Sequence, residues 1–276
     1  MQFGMPTLIE NRTLEENAAL CRTLGLRFSV LNMNFPEYQT ESLEKTDPLL
    51  QMGEKYGIYY TIHLDENLNI ADFNHLVSQA CLETVRQSIL AARELICLRD
   101  CYGDRHQPLV LNMHMNHGIH ITLPDRKVQM YERDPELYFS SFAKFRSLCE
   151  EWIGSSDLMI CVENTDGFRS YERKAIEYLL ESPKFGLTWD IGHSKSVCEE
   201  DVPFILEHTD HLIHFHIHDA TETPPQNHLA LGDGKIDLME RLVLADRRNA
   251  RCVLETKTVE ALKHSVQWLR KHNFIA

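Results

Sequence analysis

Leu212-Ile213-His214-Phe215-His216-Ile217-His218-Asp219 alternates between apolar residues and histidine. Successive side chains of an extended chain point to opposite faces, so His214, His216 and His218 share one side while Ile213, Phe215 and Ile217 share the other. The apolar side is suited to packing against helices. Seven more short apolar runs rich in β-formers surround this one, at residues 2–8, 27–33, 58–64, 108–115, 158–164, 186–192 and 251–256. Between them lie segments with apolar spacings of three and four, such as Val77, Cys81, Val85, Ile89, Ala92 and Ile96, or Val259, Leu262, Val266 and Leu269. That period is helical. Eight strand-then-helix units without a break in composition, and without the Gly-rich first turn of a doubly wound sheet, predict a closed (β/α)₈ barrel, an α/β fold.

A chain of 276 residues suits one such barrel, so a single domain over 1–276 is expected. Hydrophobic residues at 43% and charged residues at 25% exclude a disordered chain or a coiled coil. The net charge of −13 repels polyanions, which disfavours nucleic acid as a partner. No apolar run is long enough to span a bilayer, and the first residues lack the pattern of a signal peptide, so no membrane association and a cytoplasmic location are expected. The eight cysteines contain no C-x-x-C pair and read as buried thiols rather than a disulfide framework. Two long connections, about 116–133 and 220–235, would lie on the C-terminal face of the barrel, where they read as lids or substrate walls.

Six of the eight expected strands run into His63, His114, Glu163, Asp190, His216 or Glu255 near their C-terminal ends. Strand ends of a barrel converge on one mouth. Any one of these residues alone reads as a rim carboxylate or a core histidine. Three carboxylates and several imidazoles in one small volume, however, would repel one another or go unsatisfied unless a cation organised them. Mixed nitrogen and oxygen donors suit Mn²⁺, Zn²⁺, Co²⁺ or Fe²⁺ better than Ca²⁺.

The segments Ile62-His63-Leu64 with Asn69, Cys161-Val162-Glu163-Asn164, Gly186-Leu187-Thr188-Trp189-Asp190-Ile191-Gly192-His193, His216-Ile217-His218-Asp219, His228 with Leu231-Gly232-Asp233-Gly234, and Leu254-Glu255 together resemble the xylose-isomerase-like barrel superfamily. That superfamily holds sugar and sugar-phosphate isomerases and epimerases together with abasic-site nucleases of the endonuclease IV type. The resemblance implies one divalent metal held by Glu163, Asp190, His216 and Glu255, with His193 touching substrate or supporting a ligand. It implies proton transfer through a metal-stabilised enediolate, with Glu163 and Glu255 as the candidate acid and base. The expected partner is a small sugar or sugar phosphate, and the oligomeric state is open.

The nuclease branch uses three metals, and its added ligands would correspond to His63, His114, His193 and His228. The branch's D-R-H element reads Gln226-Asn227-His228 here, which removes a ligand carboxylate and a cation. Isomerase or epimerase chemistry is therefore preferred, with His63 and His114 lining the substrate pocket. A non-catalytic sugar-binding barrel is the third reading. His117 competes with His114 for the fourth strand's role, and parity favours His114, which shares its face with Asn112. His218 also faces inward, in contact with a metal or supporting a ligand. Lys195, Lys235, Lys257 and Arg169 are the cations placed to meet a substrate phosphate, each also readable as ordinary surface charge.

Overall fold

The histidine-bearing segment becomes the strand Leu212–Ile217, one stave of a closed barrel, in a computed structural model that describes residues 1–275. In chain order the barrel strands are β1 (Gln2–Pro6), β2 (Phe28–Asn32), β3 (Tyr59–His63), β4 (Leu109–His114), β5 (Leu158–Glu163), β6 (Phe185–Asp190), β7 (Leu212–Ile217) and β8 (Arg251–Leu254). Among the described residues these eight pair in parallel with their sequence neighbours, and β8 returns to β1 to close the ring. Around them run α1 (Leu14–Leu24), α2 (Asp47–Tyr56), α3 (His75–Tyr102), α4 (Pro135–Ile153), α5 (Ser170–Leu180), α6 (Val202–Glu207), α7 (Leu238–Arg247) and α8 (Val259–Lys271), with shorter helical turns in the loops. The result is a single-domain (β/α)₈ barrel.

The helices form where the apolar period and the caps agree. α8 starts at Thr258, whose hydroxyl accepts the Ala261 N–H at 3.2 Å, and it buries Leu262, Val266 and Leu269 against the strands. Each such side chain contributes roughly 1.5–3 kcal/mol through burial. α3 buries Cys81, Val85, Ile89 and Ala92 as its spacing predicts, while Val77, in its first turn, stays exposed. All eight cysteines are free; Cys97, Cys101 and Cys198 are exposed and the other five buried. No helix of the described residues is long and apolar enough to cross a membrane.

The strands end one or two residues earlier than their sequence pattern suggests, for a local reason. Asp190 ends β6 and caps the short helix Ile191–Ser196, its Oδ1 accepting the His193 N–H at 2.7 Å, so Ile191 and Gly192 belong to that helix. Asp219 likewise leaves β7 and folds the next loop around itself. It accepts N–H bonds from Ala220 (2.9 Å), Gly232 (3.0 Å) and Ile236 (3.1 Å). The two long connections are more ordered than loops, since each carries a hairpin: His120–Thr122 with Lys127–Gln129, and Asp219–Glu222 with Pro225–Leu229.

Inward-facing side chains fill the barrel in tiers. At the floor, buried Arg251 donates to Tyr59 Oη at 3.0 Å and to the Gln107 carbonyl at 2.9 Å, and Tyr59 donates to Gln2 at 2.8 Å. Gly4 of β1 leaves room for the Phe28 ring of β2, since a Cβ there would run into it. Gly4→Ala therefore overpacks the barrel and should lower unfolding free energy by about 1–3 kcal/mol in urea denaturation, with no change if the Phe28 ring can move aside freely.

Candidate metal centre and active site

The upper tiers rest on a directed chain of hydrogen bonds. Thr188 of β6 donates its hydroxyl proton to Asn112 Oδ1 at 2.5 Å, so it must accept from His214 Nδ1 at 3.0 Å. The Asn112 amide in turn donates to Glu163 Oε2. Burial holds His214 well below the usual imidazole range, which keeps this tier neutral. The strand ends above it are charged.

Glu163, Asp190, His216 and Glu255 come from β5, β6, β7 and the residue after β8, all buried, with one donor atom from each lying within 4.8 Å of the others. His216 Nδ1 stands 2.9 Å from both Glu163 Oε1 and Glu255 Oε2. One N–H serves one acceptor well, and it goes to Glu163, leaving Glu255 Oε2 buried without a hydrogen bond. Burial alone would raise these carboxyls. The facing His216 outweighs it and holds Glu163 and Glu255 well below the usual carboxylate range, helped by His114 at the first and Lys257 at the second. Burial opposes charge on His216 too, but the two glutamates push it well above the usual imidazole range.

Asp190 has its own imidazole partner. His218 Nε2 lies 2.9 Å from Asp190 Oδ1, and His218 Nδ1 accepts the His228 N–H at 2.9 Å. Behind Asp190, Asn164 fixes the backbone: its Oδ1 accepts the Asp190 N–H at 2.8 Å, and its amide donates to the Asp190 carbonyl at 2.9 Å and to buried Asp201 at 2.8 Å. Three carboxylates thus share the mouth, with positive charge facing them from His216 and from the Lys257 ammonium. The four convergent donors and the orphaned Glu255 oxygen fit a divalent cation of the mixed N/O class.

The other histidines fall into two groups. His63 and His114 aim their Nε2 atoms at Glu163 Oε2, at 3.4 and 3.2 Å. His114 lines the mouth cavity, whereas His63 is buried, its Nδ1–H donated to the Leu64 carbonyl at 2.8 Å. His63 therefore does not stand on the pocket wall, because its ring packs edge to face with His114 and stacks with His216. His193 and His228 line the cavity, and His228 donates its Nδ1–H to the Glu255 carbonyl at 2.9 Å. Burial, then the neighbouring His218, lowers His228 to about 4, so it is neutral with Nε2 available. With His218 these two make another group whose donor atoms could hold an ion, as do His63, Glu163 and His216.

The cavity above the cluster encloses about 830 Å³ between amide, imidazole, carboxylate and ammonium side chains. Of the cations that the sequence places near strand ends, Lys257 bonds Glu255 at 2.7 Å, Lys195 pairs with Glu222 at 2.7 Å and Arg169 approaches Asp166 at 3.4 Å. Lys235 is exposed and lies off this cavity. His117 lies three residues past the end of β4, bonded to Asp166 and Glu172, and is not part of the cluster. Sequence reasoning misses Asp201 and Glu172, which sit at helix starts and carry no strand-period signal. It uses Thr188 and Asn112 only to settle parity.

A family model for the xylose isomerase-like TIM barrel matches residues 7–272. No curated protein matches the chain. Among solved structures, a D-tagatose 3-epimerase-like protein superposes with a TM-score of 0.73 at 20% identity, over 99% of this chain and 97% of that one. A 3-keto-D-glucoside 4-epimerase from E. coli gives 0.72 at 14% identity, over 98% and 99%. An L-ribulose 3-epimerase gives 0.68 at 16%, over 100% and 98%. At these identities the likeness is one of fold.

Gly192 tests the tightness of the Asp190–His218 contact, because a Cβ there would overlap the His218 ring. Gly192→Ala should cost about 1–3 kcal/mol of stability in urea denaturation and displace His218 from Asp190 in a crystal structure, whereas wild-type stability and placement would mean the ring has room to spare.

Proposed function

The chain belongs to the xylose isomerase-like TIM barrel family, and from that premise we propose that it is a metal-dependent isomerase or epimerase of a small sugar or sugar phosphate. The observation that carries this reading is the pair Glu163 and Glu255, each 2.9 Å from His216 Nδ1, with Glu255 and the Glu163 partner His114 lining a polar cavity. Isomerisation or epimerisation beside a carbonyl moves a proton off carbon and returns it, which calls for two acid/base groups on one reacting centre. Glu163 and Glu255 fill those roles. The cation, held by Glu163, Asp190, His216 and Glu255, would polarise substrate oxygens and acidify the intervening C–H.

Each glutamate has its own brace. Asn112 donates to Glu163 Oε2, while His216 holds its Oε1, and Lys257 donates to Glu255 Oε1 at 2.7 Å. His114 and His193, on the cavity wall, are placed to bond substrate hydroxyls. Neighbouring structures described as sugar 3- and 4-epimerases support the class of substrate.

A second reading rests on the two further ligand groups, His63 with Glu163 and His216, and His193 with His218 and His228. Filled together with the first, they would make a multinuclear phosphodiesterase acting on abasic DNA. The net charge of −13 opposes it, as does the fate of Gln226 and Asn227: the first is exposed and the second accepts from Ser196 at 2.5 Å.

Glu163→Gln and Glu255→Gln should each lower kcat by at least about 100-fold toward whichever ketose or ketose phosphate the wild type turns over, with the fold intact by circular dichroism. Full activity in either variant removes it as acid or base. Asp190→Ala and His216→Ala should instead lower metal content by elemental analysis; unchanged stoichiometric metal would place the ion elsewhere.

A further inference from the structure

We propose that His117 is a positioning residue, an imidazolium clamp that sets the hairpin His120–Thr122/Lys127–Gln129 against the cavity by bridging Asp166 and Glu172. The hairpin forms one wall of the cavity through His120, Lys127 and Gln129, yet its first strand is exposed along its whole length. Where the wall stands is therefore decided at its root. The root is Asn116, His117 and Gly118, directly after β4 and Met115.

His117 sits between two carboxylates, one on each ring nitrogen. Its Nδ1 is 2.5 Å from Glu172 Oε1, and its Nε2 hydrogen-bonds Asp166 Oδ1. A neutral imidazole has one N–H, and only the imidazolium can donate to both. Glu172 cannot swing away, since it is fully buried in the first turn of α5 and its other oxygen accepts the Arg169 N–H at 2.7 Å. Asp166 comes from the loop after β5. The same loop brings Arg169, the other cation beside the pair, 3.4 Å from Asp166.

Neutral contacts hold the root from other sides. Tyr171 of α5 donates to the His117 carbonyl at 2.8 Å, and Tyr138 of α4 donates to the Asn116 carbonyl at 3.2 Å. Gly118, at φ +76°, lies against the Tyr131 ring where a Cβ would overlap it. These contacts do not titrate near neutrality. His117 adds the part of the wall's stability that depends on protons.

Burial opposes charge on His117, but the bonds to Asp166 and Glu172 outweigh it and bring its pKa up to about 9. The bond from His117 in turn takes Asp166 down to about 2, against its burial, while burial raises Glu172. The sign follows. A histidine raised in the clamped state stabilises it fully below the free value of about 6.5, and that stabilisation is lost as pH rises to about 9. On the acid side Asp166 keeps its contribution above its ordinary carboxyl value and loses it as pH falls to about 2.

The test uses the whole chain and needs no substrate, so it stands or falls apart from the catalytic reading. Ring-nitrogen NMR of His117 should show both nitrogens protonated up to about pH 9. Amide-exchange protection of residues 118–129, corrected for intrinsic rates, should fall roughly 10- to 100-fold between pH 6.5 and 9.5 while the barrel strands keep theirs. Asp166 is 58% exposed, which limits the drop through screening. His117→Gln should show low hairpin protection at every pH, without the step, and Asp166→Asn a smaller step at lower pH, since Glu172 alone then holds the charged ring. A His117 that titrates near 6.5, a pH-independent hairpin, or wild-type protection in Asp166→Asn would each overturn the clamp.

Discussion

Three buried carboxylates in one barrel mouth are the constraint around which the rest of the structure is arranged. Glu163, Asp190 and Glu255 gather around His216 and His218 where water is scarce, so their mutual repulsion is met by fixed partners. Each carboxylate has an imidazole in contact, and each has a brace of another kind: an amide from Asn112, a backbone N–H at the start of a helix, an ammonium from Lys257. Breaking a buried pair by removing one partner is far costlier than never forming it. A divalent cation and these donors are chemically matched for the same reason.

The barrel makes that gathering possible through register. Asp190 pairs with His216, and Val253 of β8 pairs with the same histidine, which brings Glu255 to the rim beside it. His114 pairs with Glu163 in the same manner on the far side. A slip of one residue in any of these strands would turn its ligand toward the helices. Below the mouth, the neutral His214–Thr188–Asn112 chain and the Arg251–Tyr59–Gln2 floor link the staves by hydrogen bonds across the interior, so the charged tier stands on a cross-braced base.

Most of this was legible in the sequence because strands have a period of two. Once Leu212–Ile217 is read as a strand, His214 and His216 must share a face, and the same parity places Asn112 with His114 and Thr188 with Asp190. The eight staves and the amphipathic stripe of α8 follow from the same local rules. What stayed hidden comes from places where no period applies. Asp201 and Glu172 reach the site from helix starts whose approach is set by loop length. The hairpins at 120–129 and 219–229 are too short for a hydrophobic repeat. His63 has the right parity, yet its depth behind His114 depends on ring packing among three histidines.

The cation at the mouth is the claim on which the account turns, and its stoichiometry tests it most directly. Calorimetric titration of chelator-treated protein with Mn²⁺ or Co²⁺ should saturate at one ion per chain and release protons, because a cation beside Glu163 and Glu255 takes over the charge that His216 carries. Saturation at two or three ions per chain, or no binding at all, would contradict it.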